Sequence, residues 1–211
     1  MTNIKQQMVT TENALLGSEH QIVPQQLHFV HNVSMLPPTP QGHQGILLGM
    51  GCLWGAERLL WQLEGVYCTS VGYSGGFTIN PTYQQICTGQ TGHTEVVNVT
   101  YDPDIISLDA LLVHFWQSHI PTQGMQQGND VGTQYRSAIY CYTQLQLSIA
   151  QESCKQYQQA LNLAKQQNEI TTEITLATPY YFAEEYHQQY LAKNPEGYCG
   201  IGGSGVCFPA D

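Results

Sequence analysis

The chain has 211 residues, of which 42% are hydrophobic and only 10% are charged, and its formal net charge is −10. Its six lysines and arginines form no cluster that could displace counterions from phosphates, which excludes nucleic acid as the main partner and disfavours an anionic membrane surface. No apolar run approaches the roughly 20 residues that cross a bilayer, and the N-terminus lacks the basic-then-apolar layout of a signal peptide, so we expect a protein of the reducing cytoplasm.

The pattern of residues 1–44 predicts an extended N-terminal arm. The segment is rich in proline, which favours extended structure and ends helices, and it shows no sustained hydrophobic period. A free tail would have little use for Leu27, Phe29 and Val30, so we expect the arm to wrap the rest of the chain. Residues 45–211 then form a single domain.

The first half of this domain alternates strands and helices. A short apolar run over 46–48 predicts a buried strand, and glycines separate it from a helix over 54–63. A second strand over 66–73 ends at a Ser-Gly-Gly turn. A short helix over 83–87 then precedes a strand over 94–101, in which apolar residues alternate.

The second half continues this alternation. Ser107 is a suitable N-cap for a helix with apolar residues at helical spacing as far as Trp116. The elements expected after it are a Gly- and Gln-rich loop over 124–134, a strand over 137–142, a long helix over 143–167, a strand over 170–176, a helix over 184–192 and an irregular Gly-rich tail. Strands interleaved with helices predict an α/β (α+β) fold, a two-layer sandwich in which helices pack on a mixed β-sheet.

The most informative of the seven cysteines is Cys52, which lies between a predicted strand and a predicted helix. The glycines around it allow a sharp turn, and the helix N-terminus presents free N–H groups with a partial positive charge that would stabilise a thiolate. A reactive cysteine needs such surroundings, but a buried structural cysteine would fit the same turn. The local pattern leaves both alternatives open.

The tail favours the reactive alternative, because Cys199 and Cys207 lie in a Gly-rich segment where both cannot be core residues. A mobile thiol suits thiol–disulfide exchange, in which one sulfur must approach another. A zinc site is the alternative, but the spacing does not match the usual close pairs and no second pair exists. The other four cysteines are expected to be buried apolar residues: Cys68, Cys87, Cys141 and Cys154.

The ordered motifs from Ile46 to Cys207 resemble those of the A-type peptide methionine sulfoxide reductases. The segments that carry the resemblance are, in chain order, Gly51-Cys52-Leu53-Trp54-Gly55, Gly72-Tyr73-Ser74-Gly75-Gly76, Pro81-Thr82-Tyr83, Gly92-His93-Thr94-Glu95, Gln127-Gly128-Asn129-Asp130 and Gly132-Thr133-Gln134-Tyr135-Arg136-Ser137. The two tail cysteines complete the set. One five-residue motif would be weak, but this many segments in order are specific.

The resemblance implies a catalytic domain in which Cys52 attacks the sulfoxide sulfur and Glu95 is the general acid. Burial beside Val96 and Val97 could keep that carboxyl group protonated. The implied substrate-binding residues are an apolar box for the methyl group, hydroxyls for the sulfoxide oxygen and a further polar position: Leu53, Trp54, Tyr83, Tyr135 and Asp130. The family usually has Phe at position 53, so Leu53 predicts a looser box.

The resemblance also implies a disulfide relay. A sulfenic acid on Cys52 is attacked by Cys199, and Cys207 then takes over the disulfide, which thioredoxin reduces. The implied substrates are the S-epimer of methionine sulfoxide, free and in oxidised proteins. No cofactor and no metal are expected, and we expect a monomer.

Two other functions compete with this one. A cysteine hydrolase or acyl transferase would pair Cys52 with His93 or His187 as base, but it would leave Cys199 and Cys207 without a role. For His187 we expect a structural role. A Cys/His zinc-binding module is the non-enzymatic alternative, and metal analysis of the purified protein would test it.

Overall fold

The fold is built on one six-stranded sheet, seen in a computed structural model that describes residues 4–209. The strands are β1 Gln44–Met50, β2 Val66–Ser74, β3 Thr94–Tyr101, β4 Gln126–Gln127, β5 Asp130–Val131, β6 Ser137–Cys141, β7 Glu173–Leu176 and β8 Tyr181–Phe182. The helices are α1 Leu53–Trp61, α2 Tyr83–Ile86, α3 Leu108–Ser118, α4 Gln144–Leu163 and α5 Tyr190–Lys193. Short 3-10 turns cover Ile4–Gln6, Thr133–Tyr135 and Glu185–His187.

The sheet is mixed, as predicted. Its strand order is β7-β6-β1-β3-β2-β8, and β4 pairs with β5 in a separate two-stranded ribbon. The pairs β6–β1, β1–β3, β3–β2 and β2–β8 are antiparallel, whereas β6 and β7 are parallel. β1 and β3 are the two central strands of the sheet. The last residue of β1, Met50, and the first residue of β3, Thr94, therefore lie in its interior.

The main core lies between the sheet and the helices. The alternation in β3 buries Val97, Val99 and Tyr101 against this layer, as the period of two predicts. Helix α3 begins after Ser107, whose side chain accepts a hydrogen bond from the Ala110 N–H, and its apolar face is fully buried. Each such large side chain contributes about 1.5–3 kcal/mol through burial.

Three predicted elements were wrong in detail. The loop over 124–134 contains the β4–β5 ribbon and a 3-10 turn, and the long helix ends at Leu163. The predicted helix over 184–192 is two short pieces on either side of Gln189, which adopts φ 46° in the left-handed region. Its backbone N–H donates to Glu57 Oε2 over 2.8 Å, and this tertiary contact favours a break in the helix. The two-residue strand β8 was not predicted.

The arm up to residue 43 contacts the domain through polar groups. His31 hydrogen-bonds to the carbonyl oxygens of Trp61 and Tyr67 with its two ring nitrogens, both at 3.0 Å. The three apolar side chains that suggested this wrapping are themselves 44–60% exposed: Leu27, Phe29 and Val30. Within residues 4–209, no helix is long and apolar enough to cross a membrane.

Candidate active site

Cys52 lies where β1 ends and α1 begins, and it is the N-cap residue of that helix. The preceding Gly51 adopts φ +89°, and a Cβ atom there would come within 2.5 Å of the Gln127 side chain. Only glycine fits both the backbone angle and the space. The strand-to-turn-to-helix arrangement that the sequence predicted is therefore present.

A cavity of about 190 Å³ opens in front of Cys52. It brings together all the predicted residues of the sulfoxide site: Cys52, Leu53, Trp54, Tyr83, Glu95, Asp130 and Tyr135. Two further residues line it, His187 and Tyr198. Apart from its place next to Cys199, nothing in the sequence marks Tyr198 as a residue of the site.

Glu95 is the buried acid of this cavity. Its side chain is 3% exposed, and Oε2 accepts a hydrogen bond from the Leu53 N–H over 3.0 Å. Burial raises the pKa of Glu95 to about 8, although the hydrogen bond from Leu53 lowers it, and the nearby Asp130 raises it further. A proton is therefore held on Glu95 at neutral pH, as burial in the strand predicted.

The Cys52 thiol holds its proton more firmly than the sequence predicted. Burial raises the pKa of Cys52 to about 12, and Glu95 adds to the effect, while the N–H groups of Trp54 and Gly55 lower it. The helix N-terminus thus acts in the predicted direction but is outweighed by burial. The helix N-terminus alone therefore does not set the charge of Cys52, and the buried thiol stays protonated at neutral pH.

Two tyrosines complete the donor set of the cavity. Tyr83 begins α2 after a capping box at Thr82, and its N–H donates to Glu184 Oε1 over 2.8 Å. Tyr135 ends the 3-10 turn Thr133–Tyr135. Burial, and then the charge of Glu95, raises the pKa of both phenols well above the ordinary value, so both stay protonated and can donate.

Trp54 is held in place by two contacts from the C-terminal part of the chain. Its Nε1–H donates to His187 Nδ1 over 3.0 Å, and its ring stacks on Tyr190 with centroids 4.0 Å apart. Because Nδ1 accepts, the proton of neutral His187 is on Nε2, and burial lowers the pKa of this histidine to about 4. His187 therefore positions the indole, which supports its predicted structural role.

Neither histidine is placed to act as the base of a hydrolase. His187 uses its acceptor nitrogen for Trp54, and His93 uses both ring nitrogens outside the cavity, with Gly76 N at 3.1 Å and Thr78 O at 2.7 Å. Within residues 4–209, no group of three or more His, Cys, Asp or Glu side chains could hold a metal ion. The hydrogen bonds of the two histidines thus disfavour the hydrolase alternative.

The tail passes the cavity at Tyr198 and places Cys199 against α1. Tyr198 donates to Asp130 Oδ2 over 3.2 Å, and the partly buried Cys199 follows it, whereas Cys207 is exposed. All seven cysteines are free thiols. Among the others, the predicted burial holds for Cys68 and Cys141, while Cys87 and Cys154 are only partly buried.

Known proteins match this chain over nearly its whole length. The family model for peptide methionine sulfoxide reductase matches residues 44–205. Peptide methionine sulfoxide reductase MsrA of Vibrio vulnificus is 62% identical over 205 residues, which are 97% of this chain and 98% of that protein. Methionine sulfoxide reductase A of Corynebacterium diphtheriae shares 46% identity and a TM-score of 0.85, covering 92% of this chain and 93% of that one.

A eukaryotic structure matches less closely. Reduced Mxr1 from Saccharomyces cerevisiae shares 35% identity and a TM-score of 0.70 over 76% of this chain and 91% of its own. Mxr1 in complex with Trx2 shares the fold, with 22% identity and a TM-score of 0.52, over 74% of this chain and 90% of its own. This chain thus belongs to the A-type peptide methionine sulfoxide reductase family and is an oxidoreductase.

Proposed function

We propose that Cys52 reduces the S-epimer of methionine sulfoxide, free or in oxidised proteins, and that Cys199 and Cys207 recycle it. The observation that carries this proposal is one cavity that holds a thiol, a protonated carboxyl group and two phenol donors. A sulfoxide needs those groups, because its sulfur must meet a nucleophile while its oxygen receives a proton.

In the first step the sulfoxide sulfur lies against Cys52 and its oxygen lies towards Glu95. Glu95 gives its proton to the oxygen and takes the Cys52 proton, so that the sulfur is attacked as the thiolate forms. The substrate S–O bond breaks, the protonated oxygen passes to the Cys52 sulfur to give a sulfenic acid, and the substrate leaves as a thioether. Hydroxyls of Tyr83 and Tyr135 hold the oxygen, and the raised pKa of both phenols keeps them donors.

The epimer preference follows from fixed positions on two sides of the sulfur. Donors hold the oxygen on the side of Glu95, and the indole of Trp54, fixed by His187 and Tyr190, offers an apolar surface for the methyl group. Leu53 also lines the cavity and is 1% exposed. In the other epimer the oxygen and the methyl group exchange places. The oxygen would then face the apolar indole, and the methyl group would face the hydrogen-bond donors.

In the second step Cys199 attacks Cys52 and water leaves, and Cys207 then attacks Cys199. The exposure of Cys207 supports its place at the end of this relay, because a reductant must reach the final disulfide. A thioredoxin is the proposed reductant, and the Mxr1 complex with Trx2 supports this choice.

We also propose a cytoplasmic location for the protein and a division of its chain into two parts. The free thiols fit the reducing cytoplasm. Residues 1–44 are proposed to form an arm, and residues 45–211 the catalytic domain, which includes the tail with its recycling cysteines. Oxidised proteins and free methionine sulfoxide are the proposed substrates.

The test uses the reduced protein with one equivalent of each sulfoxide epimer and no added reductant. We expect methionine from the S-epimer alone and a Cys199–Cys207 disulfide in the peptide map. A Cys52→Ser variant should form no methionine. Free thiols throughout, with no methionine from either epimer, would contradict the proposal.

A further inference from the structure

The guanidinium of Arg58 contacts the sulfur of Cys199. Arg58 Nη2 donates to Cys199 Sγ over 3.0 Å, across 141 residues of sequence. Cys199 is the thiol that must attack Cys52 in the proposed relay, so this contact is made to a reacting atom. Any role of Arg58 in catalysis therefore rests on the proposed relay.

The position of the sulfur follows from one face of α1. Cys52, Gly55 and Arg58 follow each other at intervals of three, and residues at this spacing lie on the same side of a helix. A Cβ atom on Gly55 would lie 3.1 Å from Cys199 Sγ and 3.2 Å from Ile201 Cβ. The missing side chain at Gly55 therefore leaves a notch where the tail crosses α1. In this notch the Cys199 sulfur lies next to Gly55 and within 3.0 Å of Arg58 Nη2.

Arg58 has no carboxylate partner within the described residues, since none lies within 4.0 Å of its nitrogens. The chain has one other arginine, Arg136, and that one is bound to Glu173 at 2.8 Å and to several carbonyl oxygens. The net charge of the chain is −10, yet this guanidinium faces a thiol and not a carboxylate. Arginine donates strongly to an anionic sulfur, and its charge is constant with pH.

We propose that Arg58 is a catalytic residue of the resolving step, in which it supplies the positive charge opposite the attacking sulfur of Cys199 and directs that sulfur to Cys52. The Cys199 thiol first loses its proton to solvent. The Cys199 sulfur then forms a bond to the Cys52 sulfur, and the S–O bond of the sulfenic acid breaks. The hydroxide that leaves takes a proton from Glu95 and departs as water. Cys52 is thereby reduced from the sulfenic state, and both cysteines end as a disulfide.

The test measures the two steps separately in a Cys207→Ser background, where the disulfide stops at Cys52–Cys199. Quenched-flow samples give the rate of methionine formation and, by mass spectrometry, the rate at which that disulfide appears. In Arg58→Gln we expect the ratio of the second rate to the first to fall roughly 10- to 100-fold at pH 7. Arg58→Lys keeps the charge and should restore most of the ratio.

A pH profile distinguishes this role from a structural one. Without the guanidinium, the resolving rate should recover as rising pH removes the thiol proton directly, whereas a merely displaced tail would be slow at every pH. Lys155→Gln is the matched control, because it removes one exposed cation from α4, and its ratio should equal that of the parent. The proposal would be overturned if Arg58→Gln left the ratio of the two rates unchanged. It would also be overturned if the resolving rate fell equally at every pH and Arg58→Lys did not restore it.

Two further variants keep the result interpretable. Gly55→Ala fills the notch beside Cys199 without touching the charge, and it should lower the same ratio even if Arg58→Gln fails to fold. Should Gly55→Ala resolve at the parent rate, the sulfur is not held in the notch and the proposal is overturned. Cys199→Ser tests the relay itself, because a disulfide at Cys52 in that variant would refute the relay rather than the role of Arg58.

Discussion

The backbone N–H of Leu53 donates to Glu95 Oε2 over 3.0 Å and so ties the residue after the nucleophile to the carboxyl group opposite it. Leu53 begins α1 and Glu95 lies near the start of β3, which are 42 residues apart in the chain. The bond fixes the carboxyl group beside Cys52 and leaves the other oxygen free to carry the proton.

Glu95→Gln should slow the sulfoxide step by about 10²- to 10⁴-fold, because the amide has the shape of the carboxyl group but no proton to give. The Leu53 N–H keeps an acceptor in the variant, so the fold should be intact. Single-turnover methionine formation measures the first effect, and circular dichroism measures the second. Methionine formation at the parent rate would remove Glu95 as the acid.

The pH dependence of the same step provides a second prediction. The acid must be protonated to act, and the pKa of Glu95 is about 8, so the rate should fall as pH rises through about 8. Deprotonation of Cys52 does not compensate in this range, because burial places the pKa of its thiol at about 12. A single-turnover profile from pH 6 to 10 tests this. A rate that rises between pH 8 and 10 would show instead that thiolate formation limits the step.

His187→Leu should weaken substrate binding more than it slows the chemistry. The variant removes the acceptor of the Trp54 Nε1–H, so the indole loses one of its two fixed contacts. We expect KM to rise roughly 5- to 20-fold with kcat reduced less, as for a lost hydrogen bond of about 1–2 kcal/mol. His187→Gln can supply an acceptor oxygen and is the matched control. A loss of kcat to the level of Cys52→Ser would show that His187 is a base, as in a hydrolase.

Much of the fold was predictable because hydrophobic periodicity fixes it locally. The alternation in β3 and the helical spacing in α3 each depend on neighbouring residues, and both elements appear where expected. The left-handed Gln189 was not predictable, because it depends on a hydrogen bond to Glu57, 132 residues away in sequence. The same limit explains why the strand residues alone did not identify Glu95 as an acid.

The charge state of Cys52 was not predictable from the sequence for a similar reason. The glycines and the helix N-terminus around Cys52 are visible in the sequence, and both are present. Burial by Leu53, Glu95 and the rest of the cavity is not visible there, and it outweighs the helix in setting the pKa of Cys52. The tail position of Tyr198 over Asp130 likewise depends on where the chain crosses α1.

Leu53→Phe should tighten substrate binding. Leu53 is 1% exposed and lines the cavity, and a phenyl ring at this position would fill more of that cavity. We expect KM to fall roughly 2- to 5-fold with kcat within about twofold, because the added carbons meet the methyl group equally in the ground and transition states. Leu53→Met conserves volume and is the control. An unchanged or higher KM in Leu53→Phe would show that the box at this position is already full.

Glu57 is a buried carboxyl group that joins α1 to the segment holding Trp54. Its oxygens accept hydrogen bonds from the Gln189 N–H, the Gln189 side-chain amide and the Thr69 hydroxyl, at 2.8–3.1 Å. Burial raises the pKa of Glu57 from 4.5 to about 7, although these hydrogen bonds lower it. Thr69 also contacts His28 of the arm over 2.9 Å, so the network extends from the arm to Gln189.

Because the folded-state pKa lies above the unfolded value, the folded protein holds the proton more tightly than the unfolded chain. Glu57 therefore contributes its full stability below pH 4.5, and the free energy of unfolding decreases as pH rises through about 7. The loss should be on the order of 2–3 kcal/mol. Glu57→Gln cannot ionise, so its unfolding free energy, measured in urea from pH 5 to 8.5, should decline less with pH than that of the parent. Equal slopes in the two proteins would mean that Glu57 does not titrate in this range, and that the buried network holds it charged throughout.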